Sequence, residues 1–175
     1  MSAKTYWVHN SAMVTTAAPV KQPTGTVIRT MMQLAPGQTI RPVAWGCSFD
    51  GSAAATPGIL ELIDTAAIPA TGLTAYAAVD IQPYGDPNAA ANTAGTTGLP
   101  LQLGTGLSGF TTSGGTEGTI TATREADVQL IAPTSQYGLQ WPLSREFEVP
   151  PGHFLRVRAT CPVTVNMICY VIFEV

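Results

Sequence analysis

The chain has 175 residues; 45% are hydrophobic, only 11% are charged, and the net charge is −3 at pH 7. That length suits one domain able to bury roughly 70% of its unfolded surface, and the charge content lies far below the about 25% of ordinary soluble domains. Eight scattered Lys and Arg leave no basic footprint for nucleic acid, and no apolar run approaches the ~20 residues that a membrane helix needs.

Thr, Ser, Gly, Asn and Gln supply the polar remainder. Such a surface is weakly repulsive and suits a protein that meets other protein over much of its area; it also suits a plain secreted β-domain. The first twenty residues lack a continuous apolar core of signal-peptide type.

Residues 1–25 read as an N-terminal arm. Tyr6, Trp7 and Val8 are apolar, but Pro19 and Pro23 break the stretch. An edge strand, or a reach to a neighbouring subunit, is expected there. Residues 26–175 read as one β-sandwich domain. Its first strand covers 27–34, with Ile28, Met32 and Leu34 on one face. After Ala35-Pro36-Gly37, residues 40–50 alternate Val43, Trp45, Cys47 and Phe49 with Pro42, Ala44, Gly46 and Ser48. This period of two turns the large residues inward, Trp45 into the core, and leaves a small face that another backbone can approach. A strand over 59–65 carries Ile59, Leu60, Leu62 and Ile63. Residues 71–82 alternate most cleanly: Leu73, Ala75, Ala77, Val79 and Ile81 face one way, Thr74, Tyr76, Ala78, Asp80 and Gln82 the other.

The pattern breaks at 83–118, a stretch rich in Gly, Thr and Ala. So long a connection reads as an exposed excursion that carries partner contacts through Tyr84, Leu101, Leu103 and Phe110, or as a plain surface loop. Short strands resume at 119–123 and 128–131, and 136–143 holds Tyr137 and Trp141. Pro150-Pro151-Gly152 then turns the chain into a strand over 154–160. Ala35-Pro36-Gly37 with Ile40-Arg41 echoes it, as though two equivalent strands began in paired sheets. The last strand, 163–175, puts Val163, Val165, Met167, Cys169, Val171, Phe173 and Val175 on one face. Ile168, Tyr170 and Ile172 make the other face half apolar, so this strand is expected at the centre of a sheet covered on both sides. No helix is predicted. Many short strands bounded by Gly and Pro indicate an all-β fold, an antiparallel two-sheet β-sandwich of jelly-roll type.

No catalytic constellation emerges. His9 sits in the arm and His153 after a turn, with no Gly-x-Ser-x-Gly signature beside them. Asp50, Glu61, Asp64 and Asp80 lie near strand ends, but spacing does not pair them as a glycosidase requires. Asp50-Gly51-Ser52 and the 84–88 segment fall short of a calcium loop, and Gly104, Gly106 and Gly109 lack the helix of a phosphate cradle. No catalytic residue, cofactor or metal is assigned. Cys47, Cys161 and Cys169 read as buried free thiols, with a Cys161–Cys169 pairing as the alternative. Arg156 and Arg158 share one side of their strand. Facing Glu146 or Glu148 they would make structural ion pairs; the sharper reading is a contact between subunits.

The strand end Trp45-Gly46-Cys47-Ser48-Phe49-Asp50-Gly51, the segment Val149-Pro150-Pro151-Gly152-His153-Phe154-Leu155-Arg156-Val157-Arg158, and the terminal strand ending at Val175 resemble the jelly-roll structural proteins of tailed bacteriophages. Capsid decoration or cement proteins are the nearest in style. The resemblance covers about residues 27–175 and implies a late virion protein made in the host cytoplasm. It implies a homotrimer that clamps the phage's major capsid protein, without catalysis, nucleic acid or membrane. Tyr6, Trp7, Tyr84, Leu101, Leu103, Phe110, Arg156 and Arg158 would then be partner contacts. Two alternatives stand: a carbohydrate-binding module of a phage tail, stacking sugars on Trp7, Tyr84, Tyr137 or Trp141, and a β-sandwich hydrolase. If the last strand closes the core, removing residues 171–175 abolishes soluble expression; a folded truncated product would refute that placement.

Overall fold

The computed structural model describes residues 4–12, 19–51, 56–66, 68–84, 100–104, 107–111, 116–118, 120 and 123–175. Among them the strands run in chain order as β1 (Thr5–His9), β2 (Gln22–Pro23), β3 (Arg29–Leu34), β4 (Arg41–Phe49), β5 (Gly58–Ala66), β6 (Thr74–Ala75), β7 (Gln82–Pro83), β8 (Gly109–Phe110), β9 (Thr123–Ile131), β10 (Gln136–Gln140), β11 (His153–Thr160) and β12 (Asn166–Glu174). They form two antiparallel sheets, ordered β10-β4-β12-β1-β7, with β2 also on β12, and β6-β8-β3-β11-β5-β9. β3, β4 and β5 alternate between the sheets, as do β9, β10, β11 and β12, while β5 and β9 pair within one sheet; the last pair, β11 and β12, lies between earlier strands in each. Together the sheets make an antiparallel two-sheet β-sandwich.

β12 has the central place its composition demands. It pairs with β4 on one edge and β1 on the other, setting Cys169 opposite Cys47, Val171 opposite Trp45 and Val8, and Phe173 opposite Tyr6. Met167, Cys169, Val171 and Phe173 are buried. Its other face is only half-buried, so the expected cover on both sides is present on one. From the second sheet Leu60, Leu62, Leu155 and Val157 meet this layer and complete the core. β11 is flanked by β3 and β5 over nearly its whole length. A register shift at Val157/Arg158 lets Met31 and Met32 both be buried on β3.

Several sequence expectations are corrected. Thr5–His9, expected as an edge strand or a reach to a neighbouring subunit, is a strand of the first sheet: β1 pairs with β12 along five residues and with β7 at Tyr6 and Trp7. Beyond it, Lys4 and Val175 exchange two backbone hydrogen bonds of 3.0 and 3.3 Å. Residues 71–82 do not form one strand. Two residues pair as β6, a 3-10 turn follows at Ala78–Asp80, and β7 joins the other sheet. Asp80 turns the chain there by accepting the Ala77 amide at 2.7 Å, and Tyr76 is buried with its hydroxyl donated to the His9 carbonyl at 2.8 Å. Thr123 and the piece expected at 128–131 belong to one strand, β9, which pairs with β5 across a register shift at Leu62/Ile63 and includes Arg124, Glu125 and Asp127; residues 119 and 121–122 lie outside the described residues. The two Pro-Gly turns differ in form: Gly152 has φ +86°, whereas Gly37 is not among the positive-φ glycines.

The small face of β4 has a definite use. A Cβ on Gly46 would lie 2.6 Å from the Tyr137 carbonyl oxygen and 2.9 Å from the Tyr170 ring. Hydrogen here lets β10 come close while Tyr170 lies across the strand. Gly46→Ala is expected to destabilise the fold by about 1–3 kcal/mol through overpacking; an unchanged urea midpoint would refute this account.

Candidate functional site

Arg156 and Arg158, proposed as subunit contacts, are internal. Arg156 is fully buried on the outer side of β11. Its guanidinium donates to the Ile68 carbonyl, to the Glu117 carbonyl at 2.9 Å and to the Glu117 carboxylate at 3.3 Å. Arg158 donates to Glu61 at 2.9 Å and reaches Glu117 at 3.5 Å, and the Thr30 hydroxyl completes the Glu117 shell. Glu146 and Glu148 are not their partners, since those residues lie beyond the turn that begins β11. Burial pulls the Arg156 pKa below its usual value, opposed by the neighbouring Glu117. Gln33, next to Arg156 across the β3–β11 ladder, donates to the Leu107 carbonyl at 2.7 Å and accepts the Ala70 amide at 2.8 Å. Polar side chains on the outer face of the second sheet thus grip the crossing segments 68–70, 107–111 and 116–118.

This changes the reading of the long excursion. In its described parts Leu101 and Phe110 are buried, Phe110 packing 5.4 Å from the Tyr76 ring, and Leu103 is half-buried against the core. They dock on the chain's own body because β3 needs cover; residues 85–99, 105–106 and 112–115 lie outside the described residues. Tyr6 stacks on Phe173 at 5.7 Å, and Trp7 meets His9 edge-on at 5.1 Å. Of the eight proposed contacts, Tyr84 is exposed and Tyr6, Trp7, Leu103 and Arg158 are half-buried. The cysteines are free and buried, so the Cys161–Cys169 alternative is not realised. Burial pushes the Cys47 thiol up to about 12.

Two surface features went unnoticed in the sequence. The first is an apolar strip at the sheet edge. Ile59 on β5 stands directly opposite Leu130 on β9, with Val128 two residues along; they are 42%, 73% and 43% exposed. The apolar residues of 128–131 carried the signal, but a short apolar piece does not say which face it turns outward.

The second is a groove of about 540 Å³ at the end of the sandwich, lined by Asp64, Thr123, Arg124, Glu148, Pro150 and His153. Asp64 is buried, and its two oxygens are held by Arg124 at 2.7 Å and His153 Nδ1 at 3.0 Å. Arg124 also donates to the Glu148 carbonyl at 2.5 Å and lies 4.9 Å over the Phe147 ring. The Glu148 carboxylate accepts from Arg41 at 2.6 Å, and a second hollow of about 320 Å³ adjoins it, lined by Thr39, Arg41, Glu148, Glu174 and Val175. Asp64 and His153 had each been weighed separately. Pairing of β5 with β11, 89 residues apart, brings them together.

With this geometry the chain was compared with known proteins: no family model, no curated protein and no solved structure matches it.

The buried ion pair gives a direct test. Arg156→Ala leaves the Ile68 and Glu117 carbonyls and the Glu117 carboxylate short of a donor, and is expected to cost about 3–5 kcal/mol. Glu117→Gln keeps an acceptor but leaves the buried Arg156 cation without its counter-charge, and is expected to cost a comparable amount. Urea unfolding of both variants checks this, and small losses in both would show that the cluster does not hold the crossing segments.

Proposed function

We propose that the protein is a structural subunit of a virion, a capsid decoration protein of a tailed phage that stabilises the head by packing against its neighbours. It would be made in the host cytoplasm, assemble as a homotrimer and clamp the major capsid protein. The observation that carries this reading is the exposed strip of Ile59, Val128 and Leu130 along the last strand of a sheet. An uncovered edge strand presents unpaired backbone groups and invites another chain, and exposed apolar residues grouped on one face mark interaction surfaces. Low surface charge supports the same reading, because few charged groups need desolvation on contact. Many weak contacts repeated around a shell then add through multivalency. Tyr84 and the half-buried Trp7 remain available as contacts, whereas Arg156, Leu101 and Phe110 serve the fold.

Light-scattering mass and co-sedimentation with empty phage shells test the proposal. The native chain is expected to be a trimer and to be retained by shells. Val128→Lys with Leu130→Lys is expected to weaken retention at least tenfold while the circular dichroism stays unchanged. A monomer that ignores shells would overturn the reading.

A further inference from the structure

The groove between β5, β9 and β11 has properties that subunit packing does not use. Its polar groups are fixed in advance. Buried Asp64 holds both Arg124 and His153, and Arg124 is held again by the Glu148 carbonyl and the Phe147 ring. In the neutral imidazole the proton on Nδ1 bonds Asp64, which leaves Nε2 as an acceptor. Asp64 is matched by Arg124, and Glu148 by Arg41, so the charges cancel in pairs. A charged ligand gains little net attraction from such a wall. A hydroxyl, which both donates and accepts, finds carboxylate and imidazole acceptors alternating with guanidinium donors. The side chains of Arg124 and Glu148 are 49% and 56% exposed, so they are within reach of a ligand. Pro150, Ala66 and Thr123 give carbon surface beside them. The volume of about 540 Å³ falls within the roughly 300–1,000 Å³ of small-ligand sites. We propose that this groove binds a neutral carbohydrate. Glu148 and His153 would accept hydrogen bonds from sugar hydroxyls and Arg124 would donate to them. Because these side chains are already oriented, little ordering opposes binding.

This site lies apart from the Ile59–Leu130 strip and stands whether or not the chain binds shells. The test uses the full chain on a printed array of neutral glycans, followed by saturation-transfer NMR with the retained glycan. Galacturonate and inorganic phosphate serve as charged competitors. At least one neutral glycan is expected to be retained, and neither competitor to displace it. Glu148→Gln and His153→Ala are each expected to weaken binding tenfold or more; the Glu148 carboxylate is on the surface, so that variant keeps the fold if His153→Ala does not. Retention of no neutral glycan would overturn the proposal. So would unchanged affinity in Glu148→Gln, or displacement by galacturonate or phosphate.

Discussion

Everything in this molecule waits on the last strand. β12 supplies the shared edge for β1 and β4, so the first sheet has no middle until residues 166–174 arrive. The second sheet has the same dependence on β11, which separates β3 from β5. These contacts join residues far apart in the chain, as in Thr5 opposite Glu174 and His153 opposite Ala66. Closing such loops costs chain entropy before packing returns it, which makes folding slow and cooperative. The core is therefore late to form and indivisible once formed.

Inside that frame the polar residues act as fasteners. Arg156 and Gln33 bind down crossing segments on the outside of one sheet. Asp127 works at the seam between the sheets, accepting from the Trp45 indole at 3.2 Å and the Tyr137 hydroxyl at 2.5 Å. It belongs to the edge strand β9 while its donors come from β4 and β10, so one carboxylate joins two layers. Burial and this carboxylate push the Tyr137 hydroxyl up to about 12. A buried polar group is costly unless bonded, so such groups define one arrangement of the layers more sharply than apolar packing does.

The fold was legible in the sequence where periodicity and burial agree. β4, β5, β11 and β12 alternate or run apolar, and their assignment followed directly. Residues 71–82 alternate as well, yet Asp80 and the crossing between sheets bend them into a 3-10 turn; period two records a face, not a partner. β9 was read only in part because 128–131 is its apolar piece, although pairing to β5 makes Thr123–Ile131 one strand. Of the contact residues, Leu101 and Phe110 were rightly seen as docking but on the wrong body. The groove was illegible, because Asp64, Arg124 and His153 meet only through strand register.

The paired backbone of Lys4 and Val175 has a practical meaning. Both ends of the described chain leave from a single rim, beside the hollow that reaches Val175. A short bridge could link them with little distortion, and the chain could then be reopened elsewhere without disturbing either layer. Cargo attached at one end would sit next to cargo attached at the other, leaving the Ile59–Leu130 strip on a different strand pair from the one that carries the attachment.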